Sequence, residues 1–228
     1  NNEEKGDKLA DFTWSFSSIK EYINCPKKYQ EVRILKNYTF TDTPATIYGK
    51  EVHEALELYV KDGKPLAKNY QRFQKMVDTL IAIPGEKYPE LKMALTKQMK
   101  ACDFEDENRW VRGIADLVIV DGDQAYVIDY KTGSNRYPDT KQLKLMATML
   151  FVLFPKVNSI KAGLLFCMKN SFVQESYTRE GIHKAWKAFQ TPLDRLNLSY
   201  ENDEWVPNPT PLCGWCPVET CEHHKPRR

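Results

Sequence analysis

A chain of 228 residues, 42% hydrophobic and 28% charged, has the balance of a soluble globular protein with room for one sizeable core and an appended lobe. No apolar run approaches the 18 residues of a membrane span, and the polar opening, Asn1 to Asp7, carries no signal peptide; a start without Met points to a trimmed chain. A net charge of +2 excludes a protein that coats nucleic acid by charge alone, yet leaves room for a local basic groove.

Phe12 to Phe16 alternates as a short strand would, and Ser18-x-x-Glu21 reads as a capping box opening a helix that carries Cys25. Val52, Ala55, Leu56, Tyr59 and Val60 recur at helical period and predict a helix over Ile47 to Val60. Another is expected over Leu66 to Ile83, stopped by Pro84-Gly85. The period then changes to two. Strands are expected around Leu91 to Leu95, Trp110 to Ile114, Leu117 to Val120 and Ala125 to Tyr130, with Asp121-Gly122-Asp123 as the turn between the last two. A helix over Asp139 to Phe154, a buried strand over Ile160 to Met168 and a helix over Glu180 to Leu198 follow. Pro207 to Arg228 reads as a loop-rich tail. The order predicts an α/β or α+β fold with a mixed sheet. It divides into a helical lobe over 12–85, a core over 86–200 and a Cys-rich tail over 201–228.

Lys27-Lys28, Lys141 to Lys144 and Lys225 to Arg228 gather cations, and each is read as a solvated face. Six cysteines are too few for a disulfide scaffold, and Cys213-x2-Cys216 has metal-ligand spacing, which points to a reducing, intracellular setting. Cys102 and Cys167 are read as ordinary buried or half-exposed residues.

Chemistry concentrates in two adjacent strands. Asp129 sits among Val127, Ile128 and Tyr130, where a carboxylate is costly to bury unless paired or bound to metal. Lys131, two residues on, projects from the same face of an extended strand. Asp116 on the neighbouring strand completes a carboxylate pair suited to Mg²⁺ or Mn²⁺. Such an ion offsets charge on a scissile phosphate, and a nearby lysine positions water or steadies the transition state. A bare D-x-K also describes a structural ion pair at a strand end.

The flanks favour the first reading. Asp116 and Asp129-Tyr130-Lys131-Thr132-Gly133 resemble the PD-(D/E)XK nuclease superfamily in its RecB-like branch. Gly49-x3-His53 is similar to that branch's upstream motif, Gln142 to its downstream glutamine, and Cys25-Pro26-x2-Tyr29 to its N-terminal element. The resemblance spans roughly 15 to 221 and implies a restriction-endonuclease-like core. It implies a metal held by His53, Asp116, Asp129 and the Tyr130 carbonyl, with Lys131 catalytic and Gln142 orienting the site. Met146 stands where the family often has a tyrosine. Glu54 and Glu57 lie near His53, and each is read as solvated; Glu57 shares the face of His53 and is the one placed for a second metal.

Cys213-x2-Cys216-x4-Cys221 with the distant Cys25 resembles the split [4Fe–4S] site of CRISPR-associated adaptation nucleases and AddB-type nucleases. Zinc held by the three C-terminal cysteines and His223 or His224 is the rival. The resemblance implies an exonuclease acting on DNA ends or single strands, with no membrane partner; a protein partner or homo-oligomer stays open. Tyr48 and Tyr137 are candidates to stack bases, with core packing as the bland alternative. Two other functions stand beside the nuclease: a non-catalytic DNA-end or partner-binding module of the same fold, and an electron-transfer protein built around the cluster.

Overall fold

The protein is described by a computed structural model covering residues 11–225, so the Asn1 to Asp7 opening and most of the Lys225 to Arg228 cluster lie outside the described residues. The described residues divide into two compact units, 42–186 and 11–41 with 187–225. The division at 41 places the cysteines of the tail in one unit with Cys25, and the helix of His53 in the other with the strands.

In the larger unit six strands hydrogen-bond in the order β2-β1-β3-β4-β5-β6. These are β1 (Glu86–Thr96), β2 (Ala101–Cys102), β3 (Arg109–Asp121), β4 (Gln124–Lys131), β5 (Ser159–Phe166) and β6 (Ser171–Thr178). Only β4 and β5 pair in parallel, and the helix α5 (Lys141–Leu153) makes the crossover that a parallel pair requires. The expected mixed sheet flanked by helices is therefore present. The two strands expected at 110–114 and 117–120 are one continuous strand, because Asp116 interrupts the apolar pattern while the register against β1 is the same on either side of it.

Helix α3 (Pro44–Asp62) starts earlier than its periodicity indicates. Thr43 caps it, accepting from Thr46 N at 3.2 Å, Pro44 occupies the first turn, and Gly63 at φ 67° ends it. The helix expected over 66–83 is shorter and begins as a 3₁₀ segment (Lys68–Phe73) before α4 (Gln74–Ile81). Val52 and Leu56 from α3 and Phe73, Val77 and Leu80 from the α4 region bury against Leu117, Ile119, Ile128 and Leu165 of the sheet. Truncating a fully buried leucine such as Leu56 costs about 2–5 kcal/mol.

The smaller unit holds α1 (Phe16–Asn24), α2 (Pro26–Tyr29), a π-helical turn (Gln30–Ile34) and most of α6 (Ile182–Asn202). The strand expected at 12–16 reduces to a single bridge at Trp14. The capping box is formed one turn earlier than expected: Ser18 N donates to Ser15 Oγ and Ser15 N to Ser18 Oγ. Glu21 is instead a buried carboxylate ion-paired with Arg33 and with Lys28 at 3.9 Å. The core is aromatic: Phe12 stacks on Tyr200 with centroids 4.8 Å apart, and Tyr29 stacks on Trp205 at 5.8 Å. Tyr22 Oη donates to the Arg195 carbonyl at 2.8 Å.

Candidate metal centre

Gly49 lets α3 approach the end of β4. A Cβ there meets Thr132 Oγ1 at 3.1 Å, tighter than side chains ordinarily pack. One turn on, His53 falls beside Tyr130 and Asp116. The carbonyl of Tyr130 can only accept, so His53 Nε2 donates to it at 2.9 Å. A neutral imidazole then has a lone pair on Nδ1, and that nitrogen lies 3.3 Å from Asp116 Oδ1. Two acceptors facing each other need a proton or a cation between them. Burial disfavours charge on His53, but contact with Asp116 outweighs it and the imidazole pKa rises.

Asp116 is oriented by backbone, its Oδ2 accepting from Tyr130 N at 2.6 Å. Pro89 pairs with Leu117 and Leu91 with Ala115, so Glu90 of β1 lies opposite Asp116. Glu90 has φ 49°, an unusual conformation for a side chain of its size. Ligand atoms of His53, Glu90 and Asp116 all lie within 4.8 Å of one another, the one such group of three or more metal-ligating side chains among the described residues. Burial first, and then the negative charges of Asp116 and Glu57, push the Glu90 carboxyl pKa up. Glu90 escaped the sequence reading because nothing in its neighbourhood marks it; only the β1–β3 register brings it to Asp116.

Asp129 and Lys131 share a face as expected, with Lys131 Nζ 2.7 Å from Asp129 Oδ2 and donating to Gln142 Oε1 at 2.9 Å. The Asp129 contact is close but poorly aligned, and this fully buried oxygen has no well-formed hydrogen bond. Burial raises the Asp129 carboxyl pKa, against the pull of Lys131. A crowded set of carboxylates with one imidazole, an acceptor pair left facing and a buried oxygen short of donors fits a hard divalent cation. The adjoining cleft, about 600 Å³, is lined by His53, Glu54, Glu57 and Glu90 together with Thr132 and Gly133.

A model of the PD-(D/E)XK nuclease superfamily matches residues 13–221. The chain belongs to the PD-(D/E)XK nuclease superfamily. Its fold is shared with the protein SSO0001, at 14% identity and TM-score 0.52, over 95% of this chain and 89% of that one. It is shared equally with a protein described as a "Putative exonuclease" from Eubacterium rectale, at 13% identity and TM-score 0.52 with the same coverage. No curated protein matches the sequence significantly. Nucleases of the PD-(D/E)XK superfamily use divalent metals, in keeping with the donor set around Asp116. Among the described residues no helix is long and apolar enough to cross a membrane.

Other positions singled out in this PD-(D/E)XK chain fall as follows. Met146 is buried and, with Met149, packs against Gly113, so the departure from the family's tyrosine is a matter of core packing. Tyr48 is packed, its Oη 3.7 Å from Met168 Sδ. Tyr137 is 82% exposed, with the Arg136 guanidinium over its ring, so core packing does not describe it. Cys167 is buried and Cys102 half-buried.

In the smaller unit Cys25, Cys213, Cys216 and Cys221 line one small cavity with His223 and His224. All four thiols are free, and two accept backbone hydrogen bonds: Cys25 Sγ from Lys28 N at 3.5 Å and Cys213 Sγ from Thr210 N at 3.3 Å. Cys25 and Cys213 reach the cavity from the starts of α2 and of a 3₁₀ turn (Pro211–Trp215). His224 Nδ1 is buried without a hydrogen-bond partner.

Proposed function

We propose that this protein is a divalent-metal-dependent deoxyribonuclease that works as an exonuclease on single-stranded DNA or DNA ends. The carrying observation is the convergence of His53, Glu90 and Asp116 on one point beside the Asp129–Lys131 pair. In this reading His53, Asp116 and Asp129 hold Mg²⁺ or Mn²⁺, as the sequence implies, and Glu90 joins them. The Tyr130 carbonyl, already an acceptor from His53, has a second lone pair with which it would join them. A bound divalent cation supplies positive charge against the scissile phosphate and acidifies water. Asp129 by ion pairing and Gln142 by a hydrogen bond hold the Lys131 ammonium in place to donate a further N–H to a phosphate oxygen or to the attacking water. Gln142 is thus a positioning residue for Lys131.

The test is digestion of end-labelled single- and double-stranded DNA with Mn²⁺, Mg²⁺ or chelator. Stepwise shortening from ends that needs the metal and is lost in Lys131→Ala supports the reading. Binding of DNA without cleavage under every metal supports the non-catalytic module instead.

For the cysteine cavity the proposal is a [4Fe–4S] cluster on Cys25, Cys213, Cys216 and Cys221, structural and apart from the hydrolysis. Four thiolates about one zinc ion would lie about 3.8 Å from each other, given Zn–S bonds of about 2.3 Å. Among the described residues no three of these thiols and imidazoles come within 4.8 Å, which suits the wider cluster. The orphaned His224 Nδ1 favours the zinc reading. Visible absorption of anaerobically purified protein, with iron and zinc analysis, separates the two. A broad visible band with four irons per chain supports the cluster, and a colourless protein with one zinc supports the rival.

A further inference from the structure

Beyond the metal cleft, the sheet face covered by α4 continues as an open groove of about 720 Å³ over β4, β5 and β6. Its floor is apolar and aromatic. Phe172 of β6 is 47% exposed, and its ring lies directly over Gly163 of β5, where any Cβ would come within 2.0 Å of it. Gly163 therefore leaves the space that the outer edge of the Phe172 ring occupies. Met76, Tyr126 and Met168 extend the apolar lining.

The rim carries charge of one sign. Arg72, Lys75, Lys161 and Lys169 line the groove, and no aspartate or glutamate does. All four are exposed. The groove also adjoins the cleft: Tyr48 lines the cleft, its hydroxyl reaches Met168 Sδ at 3.7 Å, and Met168 lines the groove. Immediately before it, Cys167 N donates to the Lys131 carbonyl at 2.9 Å, which ties the end of β5 to the end of β4.

We infer that this groove is the track for single-stranded DNA leading to or from the metal cleft, with bases against Phe172 and phosphates along Lys161, Lys169, Arg72 and Lys75. An aromatic floor with a cationic rim is the arrangement that binds single strands without sequence preference. A double helix hides its base faces and gains nothing from such a floor. The inference rests on the nuclease reading for the identity of the ligand, but its geometry is separate from the metal site.

The experiment measures binding of the full chain to a fluorescein-labelled oligothymidylate of about 16 nucleotides in divalent-free buffer, across a salt series. The variants are the double substitution Lys161→Glu with Lys169→Glu, then Phe172→Ala and Phe172→Trp, each checked for an unchanged melting temperature. The lysine variant is expected to weaken binding at least about tenfold and to flatten the log Kd against log salt slope by about 0.7 per cation removed. Phe172→Ala is expected to weaken binding by about fivefold to a hundredfold without changing that slope, and Phe172→Trp to retain it. Wild-type affinity in both the lysine variant and Phe172→Ala overturns the inference, as does failure of the unmodified chain to bind the oligomer. Manganese-dependent hydrolysis of a thymidine phosphodiester too short to reach the groove reads the cleft alone. Loss of that hydrolysis in the unmodified chain, with groove-dependent binding intact, sinks the nuclease reading and leaves the groove standing.

Discussion

The metal cleft and the cysteine cavity are both built from side chains distant in sequence, yet they are organised differently. In the cleft the donors sit on regular elements and are held by the backbone itself: Asp116 by the Tyr130 amide, His53 by the Tyr130 carbonyl. Burial first, and then the negative charge of Asp116, holds the Glu90 and Asp129 carboxyl pKa values above the ordinary carboxylate range. In the cavity the donors are soft thiols, Cys25 and Cys213 from the starts of helical turns and Cys216 from the end of one, and two of them accept amide hydrogen bonds. A site on rigid strands, loaded with unrelieved charge, is arranged to do chemistry on an ion and its ligands. Thiols at chain turns, in the proposed cluster, would fasten those turns.

The comparison breaks most sharply if substitutions in the two sites have the same consequence. Asp129→Asn keeps the volume and removes the charge, so DNA cleavage is expected to fall by about 10³-fold or more while thermal stability holds. A folded Asp129→Asn protein with normal cleavage contradicts the role given to this residue. Cys213→Ser is expected to do the reverse. It lowers the melting temperature by about 10 °C and removes visible absorption, with cleavage by the folded fraction kept. Unchanged stability in this variant speaks against a fastening role.

Smaller effects sharpen the boundary of the cleft. Glu90→Gln is expected to raise the Mn²⁺ concentration for half-maximal cleavage by about 10- to 100-fold, read from metal titrations at saturating DNA. An unchanged titration removes Glu90 from the site. Gly49→Ala pushes a methyl group against Thr132 Oγ1, displacing His53, and is expected to lower cleavage by about tenfold. Adding Thr132→Ala makes room and is expected to restore most of it; no recovery means that the helix approach does not set the imidazole.

The smallest effect is one of pH. The folded Asp129 pKa is raised by burial, so the metal-free folded state binds its proton more readily than the unfolded chain. The resulting penalty is fully present above the folded pKa and is relieved as pH falls toward the unfolded value. In chelator, unmodified protein is therefore expected to gain stability relative to Asp129→Asn on acidification from neutral pH, seen as a narrowing difference in melting temperature. A constant difference shows that Asp129 is not under that strain.

How far these features were legible in the sequence depends on whether their cause is local. β4, α5 and β5 announce themselves through continuous apolar runs, and Asp129–Lys131 through a two-residue spacing that a strand converts directly into proximity. The C-terminal cysteine trio is legible from its spacing and Cys25 joins it through the family resemblance, and the four residues do line one cavity. β6 went unseen because Ser171–Thr178 alternates half-buried and exposed positions, with Gln174 and Ser176 among the exposed, so its outer face resembles a loop. The 3₁₀ start of α4 went unseen because Leu66 and Phe73 keep a helical rhythm that the backbone does not follow through. Glu90 is the instructive omission: its role follows from a cross-strand register, and residues near it in sequence carry no trace of that partner.

The central claim is that His53, Glu90, Asp116 and Asp129 surround one divalent cation. Crystals soaked in MnCl₂ and measured for anomalous scattering test it without recourse to activity. The account predicts a manganese peak within coordination distance of the His53 imidazole and the Asp116 carboxylate, absent in Asp116→Ala crystals. Manganese bound elsewhere, or no peak at saturating metal, would contradict it.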